Sequence, residues 1–564
     1  MNSFPSLTQR PYSRELARSL NNQGMSAVLA RIFAARGIQD VAQLNYDLDS
    51  LVHFDALKNI WEMAEILADA VSEKIPIVVI ADYDADGATA CAVAVRSLRA
   101  FGAVVDYLVP NRFEYGYGLS PEIVEVAAAR GAKIIITVDN GIASVEGVAT
   151  ANKLGLAVLI TDHHLPGASL PVARCIVNPN QQGCAFPSKN LAGVGVIFYV
   201  MLALRAELRR RRAFTDDFNL ASLLDIVALG TVADVVKLDD NNRTLVYQGL
   251  RRIRAGRLHA GLTALFTAAG RDYQRASEYD LGFVIGPRLN AAGRLDDMSL
   301  GIECLITDDE HLATNLANRL DLLNRERREV ERTMQDSALV ILDNFEPHEN
   351  YSLCLFDPDW HQGVIGILAS RLKDKFHRPV LAFARGQDGE LKGSGRSIRS
   401  LHLRDALDLC AKRHPGLVQK FGGHAMAAGL TLLEQDFEKF QAAWEATVRT
   451  LLAPCDLQVL LELDGSLAEE ELTLKLADDL SQNIWGQGFP APLFVDEFEV
   501  VEQRVVGEHH LKLKMKKFGK LYNAMLFSTA DNIADRVQAV YRLNVNNFAG
   551  ARSLQLTIEH WQPV

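Results

Sequence analysis

The 564-residue sequence has few cysteines and no long apolar run, and both absences exclude classes of protein. Its seven cysteines are odd in number, scattered and never spaced as CxxC, which excludes a disulfide framework or a zinc ribbon and indicates a reducing compartment. The longest uncharged apolar stretch with a helical pattern, 191–204, has about 14 residues, whereas a bilayer requires ~20. The N-terminal residues contain no apolar signal-peptide core. We therefore expect a soluble, cytoplasmic protein.

The chain also lacks an excess of positive charge and a nucleotide-binding P-loop. With 59 Lys and Arg against 70 Asp and Glu, its net charge is −11, so a nucleic-acid substrate would require local basic surfaces and metal ions. No segment matches GxxxxGK[ST], which argues against a motor driven by ATP. At this length three or four domains are expected.

The order of strand and helix patterns predicts a multidomain α/β protein. Apolar strands at 75–81, 104–109, 133–138 and 156–161 alternate with helices, which is typical of a parallel sheet covered on both faces. A second α/β pattern begins near 351, and short alternating segments after 456 resemble a small β-barrel. The predicted domains are a helical lead-in (1–70), a parallel-sheet domain (71–307), a connecting helix (308–346), a second α/β domain (347–450) and a barrel (455–564).

The connecting helix is predicted from an apolar seam with helical spacing. A continuous helix of ~31 residues would span roughly 46 Å. The alternative is two shorter core helices that are broken near Asn324. The residues of the seam are Leu312, Leu316, Leu320, Leu323, Val330 and Met334.

Acidic and imidazole side chains follow three of the predicted strands. The first group, DYDADG at 82–87, also opens an EF-hand loop, but here a strand precedes it and the twelfth position is Val93 rather than Glu, so we reject a calcium hand. Asp139 follows the strand that ends at 138, and Asp162, His163 and His164 follow the strand that ends at 161.

Side chains at the carboxyl ends of parallel strands open onto one crevice, so these groups are expected to converge there. Asp234, which follows an apolar helix, is a further candidate carboxylate. Mostly oxygen donors with one or two imidazoles suit Mn²⁺ or Mg²⁺. The number of carboxylates indicates two ions that share a bridging Asp, an arrangement suited to hydrolysis at phosphorus.

At these residues the sequence resembles the DHH phosphoesterase superfamily, which is named for the triplet at 162–164. Within it, the chain is similar to single-strand-specific 5′→3′ DNA exonucleases, over residues from about 50 onward. The agreeing motifs are DYDADG (82–87), RFEYGYGL (112–119), VDNG (138–141), DHH (162–164), GTVADVV (230–236), RLNAAGR (288–294), GSGRS (393–397) and GGHAMAAG (422–429).

The resemblance implies roles for individual residues. His164 would lie beside the scissile phosphate, and Asp86 would bind metal or brace the loop, so both are candidate catalytic residues. Some relatives carry a histidine where this chain has Ile80, so the second ion would be held more loosely here. The implied metal ligands are Asp82, Asp84, Asp139, His163 and Asp234. The implied substrate contacts are Arg112, Tyr117, Arg288, Asn290, Arg294, Ser394, Arg396 and His424.

The resemblance also assigns the domains and partners. The two α/β domains would be the DHH domain and the DHH-associated domain, and the barrel would be an OB-fold that grips single strands. Lys512, Lys514 and Lys516 would form a basic face on one strand, or else a solvated edge strand that prevents aggregation. The implied partners are single-stranded DNA, a RecQ-type helicase and a single-strand-binding protein.

Three functions therefore stand at this point. The first is a metal-dependent exonuclease that releases 5′-mononucleotides from single-stranded DNA during repair and recombination, without ATP. The second is a DHH-type phosphodiesterase for short oligonucleotides or cyclic dinucleotides, which would not require the barrel. The third is a non-catalytic binding relative, which would be expected to lose metal ligands.

Overall fold

The first apolar strand of the sequence lies inside a parallel sheet, where both of its faces are covered. The structure is a computed structural model, and it describes residues 5–110, 118–213, 218–342, 349–507, 509–527, 529–548 and 551–564. The chain packs as two compact units, one formed by 1–8 and 324–462 and the other by 9–323 and 463–564. Among the described residues, no helix has both the length and the apolar character needed to cross a bilayer.

The N-terminal region is a short strand followed by helices. It is predominantly helical, as its polar pattern predicts. Its elements are β1 (Ser6–Gln9), α1 (Arg14–Asn22), α2 (Ala27–Ala34) and α3 (Ile60–Glu73).

The parallel-sheet domain has the predicted alternation of strands and helices. The strands run parallel in the spatial order β3-β2-β4-β5-β6, so β2, β4 and β5 are neighbours. Alternate residues of β2 enter opposite cores, with Ile77 and Val79 on one face and Val78 and Ile80 on the other. The elements are β2 (Ile77–Ala81), α4 (Ala85–Ala100), β3 (Val105–Leu108), α5 (Pro121–Ala129), β4 (Ile134–Val138), α6 (Val145–Lys153), β5 (Ala157–Thr161) and β6 (Cys175–Val177).

Helices then complete this core and lead into the long connecting helix. The predicted helix is continuous over 32 residues, so the alternative of a break near Asn324 is wrong. The boundary between the two compact units falls within it, after Leu323. These helices are α7 (Gly193–Arg210), α8 (Leu224–Ala233), α9 (Asp240–Arg254), α10 (Ala260–Ala268), α11 (Gly286–Leu295), α12 (Ser299–Ile306) and α13 (Glu310–Ile341).

The second α/β domain contains a mixed sheet. Its strands lie in the order β10-β11-β9-β8-β7, and only β7 and β8 pair in parallel. The elements are β7 (Leu353–Phe356), α14 (Ile365–Phe376), β8 (Val380–Arg385), β9 (Glu390–Arg396), α15 (Leu403–Arg413), β10 (Lys420–Gly423), β11 (Ala427–Leu433) and α16 (Phe437–Leu451).

The C-terminal strands form the predicted barrel, which is closed by the parallel pairing of β15 with β17. Its core includes Val28 and Ile32 of α2, so the barrel packs on the helical lead-in. A preceding strand, β12, pairs with β1. The elements are β12 (Leu460–Leu463), α17 (Leu474–Ser481), β13 (Phe494–Val506), β14 (His510–Lys517), β15 (Lys520–Leu526), β16 (Arg536–Phe548) and β17 (Ala551–Pro563).

Candidate metal centre

Three neighbouring strands of the parallel sheet end in buried carboxylates. Asp82 follows β2, Asp139 follows β4 and Asp162 follows β5, and all three side chains are buried. Because these strands lie side by side with their carboxyl ends at one edge, the chain brings together groups that are up to 80 residues apart in sequence. Asp234 joins them from the residue that ends α8.

His163 lies at the middle of this cluster. Its Nε2 is 3.0 Å from Oδ1 of Asp139, 3.6 Å from Oδ2 of Asp234 and 4.0 Å from Oδ2 of Asp86. These are distances at which one cation can be shared by the ring nitrogen and the carboxylates. His163 therefore links the carboxylates of the sheet edge to the carboxylate that follows α8.

The ligand atoms form three overlapping groups, each with its members within 4.8 Å of one another. Asp139 belongs to two of them, which is the arrangement expected of a carboxylate that bridges two ions. The groups are Asp139 with His163 and His164; Asp86 with His163 and Asp234; and Asp82 with Asp84 and Asp139.

The electrostatics of the cluster suit hard divalent cations. Burial, and then the charges of the neighbouring carboxylates, hold the pKa of Asp82, Asp139 and Asp234 well above the ordinary value of an aspartate. Oδ1 of Asp139 and Nε2 of His163 are both buried and lie 3.0 Å apart, and within the described residues Oδ1 of Asp139 accepts no hydrogen bond. Since buried carboxylates are normally paired or bind metal, the residues present fit Mn²⁺ or Mg²⁺.

The backbone at Asp139 requires a small neighbour. Asp139 has a φ of 62°, a left-handed conformation that aspartate and asparagine tolerate better than most residues. A Cβ at Gly193 would lie 2.5 Å from the Cβ of Asp139, so only glycine allows α7 to begin so close to this carboxylate.

Two acidic residues of the first motif also cap helices. Oδ1 of Asp84 accepts hydrogen bonds from the backbone N–H groups of Asp86 and Gly87 at 3.0 Å, which caps α4. Asp86 accepts bonds from the N–H groups of Gly193 at 2.6 Å and Val194 at 2.9 Å, at the start of α7. Asp86 therefore braces the site while one of its oxygens still faces His163. These contacts are those of a residue that braces the loop, and the position of Asp86 is also compatible with metal binding.

His164 is held by a carboxylate that sequence reasoning did not include among the site residues. Asp162 Oδ1 lies 2.8 Å from Nδ1 of His164 and also accepts the backbone N–H groups of His163 and His164. Burial alone would lower the pKa of His164, but the hydrogen bond and charge of Asp162 outweigh it and raise that pKa to about 9. The position of Asp162 directly before the two histidines of the DHH triplet was the signal in the sequence that could have indicated this role.

Two asparagines after β6 were also missed. The Nδ2 group of Asn178 donates to the carbonyl of His164 at 2.9 Å, and that of Asn180 donates to the carbonyl of His163 at 2.6 Å. These bonds fix the backbone of the triplet from the end of the neighbouring strand β6. Because the bonds join segments 14 and 17 residues apart through irregular backbone, no periodic pattern indicated them.

The three candidates on α11 have different environments. Oδ1 of Asn290 accepts the N–H of Ala85 at 2.8 Å, so Asn290 ties α11 to the first acidic motif. Arg288 is buried and bonds to Asp321 and to the carbonyl of Val284, a placement that does not support the predicted substrate contact. Arg294 is half-buried in the last turn of the helix.

The candidates of the second α/β domain lie on one sheet. Ser394 and Arg396 are on β9, where Arg396 Nη1 donates to Ser394 Oγ at 3.2 Å, and burial lowers the pKa of this guanidinium. His424 is exposed just after β10, and Gly429 pairs with Ser394 in the ladder. Two further candidates, Arg112 and Tyr117, lie outside the described residues.

The lysines of the barrel do not lie on an edge strand. β14 is paired with β13 on one side and β15 on the other, so the edge-strand interpretation is wrong. Lys514 pairs with Glu502 and Lys516 with Glu499 at 3.3 Å. The third lysine, Lys512, lies directly opposite Arg504 in the ladder, which leaves a locally positive patch.

Comparisons with known proteins agree with this architecture. The profile of the DHH family, N-terminal domain, matches residues 76–231, that of the DHHA1 domain matches 349–450, and that of the RecJ OB domain matches 463–560. The chain is 49% identical over 581 residues to the single-stranded-DNA-specific exonuclease RecJ of Dickeya dadantii, with 100% of both chains covered. It is also 49% identical to the RecJ of Escherichia coli, over 95% of this chain and 96% of that one. The chain belongs to the RecJ family.

Solved structures of this family share the fold. A crystal structure of RecJ from Thermus thermophilus in complex with Mn²⁺ matches with a TM-score of 0.83 and 29% identity, over 99% of this chain and 79% of that one. A second crystal structure of the same protein, in complex with Mg²⁺, matches with a TM-score of 0.77. Both ions are those that the donor set of the present site suits.

Proposed function

We propose that this chain is a metal-dependent 5′→3′ exonuclease that hydrolyses single-stranded DNA to 5′-mononucleotides in DNA repair and recombination. The observation that carries the proposal is the convergence of buried Asp82 and Asp139 with half-buried His163 and Asp234 at the carboxyl edge of the parallel sheet. Membership of a family whose curated relatives are single-stranded-DNA-specific exonucleases supports the substrate.

Five residues would hold two Mn²⁺ or Mg²⁺ ions, with Asp139 as the bridge. When bound, such ions lower the pKa of water and stabilise charge on the attacking and leaving oxygens at phosphorus. The ligand set that we propose is the one predicted from the sequence: Asp82, Asp84, Asp139, His163 and Asp234.

The remaining residues orient the reacting groups. Asp162 holds the His164 ring through Nδ1, and its hydrogen bond and charge raise the pKa of that imidazole, so His164 would donate to a phosphate oxygen and neutralise its charge. Asp86 keeps the start of α7 against the site, and Asn290 keeps α11 there. Groups that are fixed in this way act without reorganisation at the moment of reaction.

The second α/β domain would recognise the end of the strand. Arg396 is half-buried with Ser394 beside it, and the planar fork of its guanidinium suits a terminal phosphate. The strands around it are rich in glycine, which permits a close approach of the DNA backbone. We include Arg112, Tyr117, Arg294 and His424 in the proposed substrate contacts.

The proposed partners follow from what the enzyme does not do itself. Without a P-loop it has no recognisable ATP-driven means to separate strands, so a RecQ-type helicase would supply single strands and a single-strand-binding protein would coat them. We place the protein in the cytoplasm, because its seven cysteines are all free.

The deciding experiment is the release of mononucleotides from 5′-labelled single-stranded DNA with Mn²⁺, with and without a chelator. We expect rapid release that the chelator abolishes. A reaction that persists in chelator would reject the metal dependence, and the absence of any reaction would favour a binding protein. Matched strands, single or double and with or without a 5′ phosphate, then test strand selectivity and end recognition.

The variant Arg396→Lys sharpens the test of end recognition. Lysine keeps the charge but loses the fork, so the preference for a 5′ phosphate should weaken. Arg399→Lys is the matched control, because the Arg399 side chain is 90% exposed three residues along the chain. An unchanged preference in Arg396→Lys would remove Arg396 from the proposed contacts.

A further inference from the structure

Two aromatic rings stack on each other at the protein surface near the metal centre. Tyr279 is 59% exposed and Phe283 is 68% exposed, and their ring centroids are 5.2 Å apart with an interplanar angle of 23°. The rings are four residues apart across the helical turn Asp280–Ile285, which puts them on the same side. Single exposed apolar residues are ordinary, but a stacked pair of large rings open to solvent is a candidate contact surface.

The segment that carries the rings packs directly on the end of α8, which leads to Asp234. A Cβ at Gly282, which lies between the two rings in sequence, would be 3.1 Å from Cγ1 of Val232. A Cβ at Gly286 would be 3.1 Å from the Cβ of Ala233, the residue before Asp234. The two glycines therefore allow this segment to lie in close contact with the chain that supplies a metal ligand.

The same segment is fixed to the metal centre at its other end. It continues into α11, where Asn290 accepts the N–H of Ala85, one residue from Asp84. Arg288, buried against Asp321, anchors the start of that helix. The rings are thus attached through short, well-bonded connections to two sides of the ligand cluster.

Two arginines lie beside the rings, and each is paired with an aspartate. The Nε of Arg271 lies 3.8 Å from Oδ1 of Asp280, on the turn that carries the ring pair. The Nε of Arg275, four residues before Tyr279, lies 3.6 Å from Oδ2 of Asp272. The charge beside the rings is therefore balanced, and what suits the flat face of a nucleobase is the exposed aromatic surface itself.

We propose that Tyr279 and Phe283 form a stacking platform for a base of the single-stranded DNA substrate. This proposal rests on the proposed function. Stacking on aromatic rings tolerates every base, which suits an enzyme that degrades strands regardless of sequence. The platform would hold the strand close to the metal centre, so its loss should raise KM and leave kcat nearly unchanged on long substrates.

The test combines ring removal with base removal. DNA affinity is measured in a chelator, by fluorescence anisotropy, with oligonucleotides that carry one abasic site at successive positions. We expect wild-type protein to lose affinity at one position, by roughly 5- to 100-fold. The double variant Tyr279→Ala, Phe283→Ala should bind intact DNA about as weakly as wild-type protein binds DNA with the abasic site at that position. An abasic site at the same position should not weaken its binding further.

Controls separate stacking from folding. Tyr279→Phe with Phe283→Trp keeps both rings and should behave as wild type. Val172→Ala alters a residue that is 81% exposed on the same compact unit and should also behave as wild type. Both alanine substitutions replace exposed side chains, so a normal melting temperature is expected.

Two outcomes would overturn the platform. If ring removal and base removal weaken DNA affinity independently at every position, so that their fold losses multiply, the rings do not contact a base. If the alanine variant binds all DNA like the wild type, the rings serve another partner, such as a protein. Failure of the exonuclease proposal is distinguishable, because it appears as absent chelator-sensitive hydrolysis by wild-type protein.

Discussion

Oδ1 of Asp162 lies 2.8 Å from Nδ1 of His164, and the same carboxylate binds two backbone N–H groups of the triplet. Burial raises the pKa of Asp162, but the hydrogen bond from His164 and the other donors outweigh it and keep that pKa below the ordinary value. Asp162 is therefore ionised. It fixes the orientation of the His164 ring and favours the protonated form of the imidazole.

The first prediction concerns Asp162→Asn. The amide keeps the shape of the side chain but loses the charge that stabilises the imidazolium, so turnover should fall by about 10- to 100-fold. Manganese affinity, measured by calorimetry, should change much less, because Asp162 is not among the proposed ligands. A loss of metal binding as large as the loss of turnover would instead place Asp162 in the metal set.

The contrast between His164 and Asp162 shows which parts of the site could be predicted from the sequence. Side chains directly after buried strands were predictable, because strand periodicity and parallel pairing determine where those positions lie. The function of Asp162 depends on which way its oxygens point, which is set by the turn from β5. Asn178 directly follows β6, but that strand has only three residues and was not predicted, and Asn180 lies in irregular backbone beyond it.

The fold shows the same division. The order of strands along the chain, the continuous helix α13 and the C-terminal barrel were predictable from local apolar patterns. The parallel pairing of β15 with β17 was not, because these strands pair across about 30 residues of sequence. The edge-strand interpretation of Lys512, Lys514 and Lys516 failed because β14 has a paired strand on each side. The ion pair of Arg288 was not predictable for a related reason, since its partner Asp321 is 33 residues away.

The second prediction concerns Asp139→Asn. Asparagine tolerates the positive φ of this position, so the variant should fold, while the bridging charge is lost. Hydrolysis should fall by at least about 10³-fold, which corresponds to the several kcal/mol that a metal supplies. Single-stranded DNA binding should stay within a few-fold of wild type. Asp106→Asn, which alters an exposed carboxylate on β3, is the matched control, and comparable turnover in the two variants would refute the bridge.

The third prediction concerns the metal-free protein and pH. Burial, followed by repulsion from Asp84, raises the pKa of Asp86 to about 7, and the pKa of Asp82, Asp139 and Asp234 is also raised. A carboxyl whose pKa is higher in the folded state stabilises the fold at low pH and loses that stabilisation as pH rises. In chelator, the melting temperature should therefore fall between about pH 5 and pH 7.5.

Metal should reverse this trend. Mn²⁺ binds the deprotonated ligands, so the increase in melting temperature that it causes should grow over the same pH range. Thermal melts with and without chelator at each pH provide the measurement. Asp139→Asn should show a shallower fall in chelator and a smaller gain with Mn²⁺. A melting temperature that is independent of pH in chelator would contradict the raised pKa values.

The fourth prediction concerns how the barrel is attached to the helical lead-in. Arg36 and Asp464 form an ion pair of 2.6 Å in which each side chain is 1% exposed, and Trp485 and Phe489 stack beside Phe33. Asp464→Ala leaves the guanidinium of Arg36 buried without its counter-charge, which should cost about 3–5 kcal/mol in free energy of unfolding. Glu559→Ala breaks the exposed pair with Arg542 and should cost less than about 1 kcal/mol.

Urea unfolding of the full chain measures the loss of unfolding free energy in both variants. Equal losses of unfolding free energy in the two variants would show that the buried pair does not hold the barrel in place. The expected difference would mean that deleting the barrel also destabilises the helical lead-in. Truncation would then be a poor way to separate strand binding from hydrolysis.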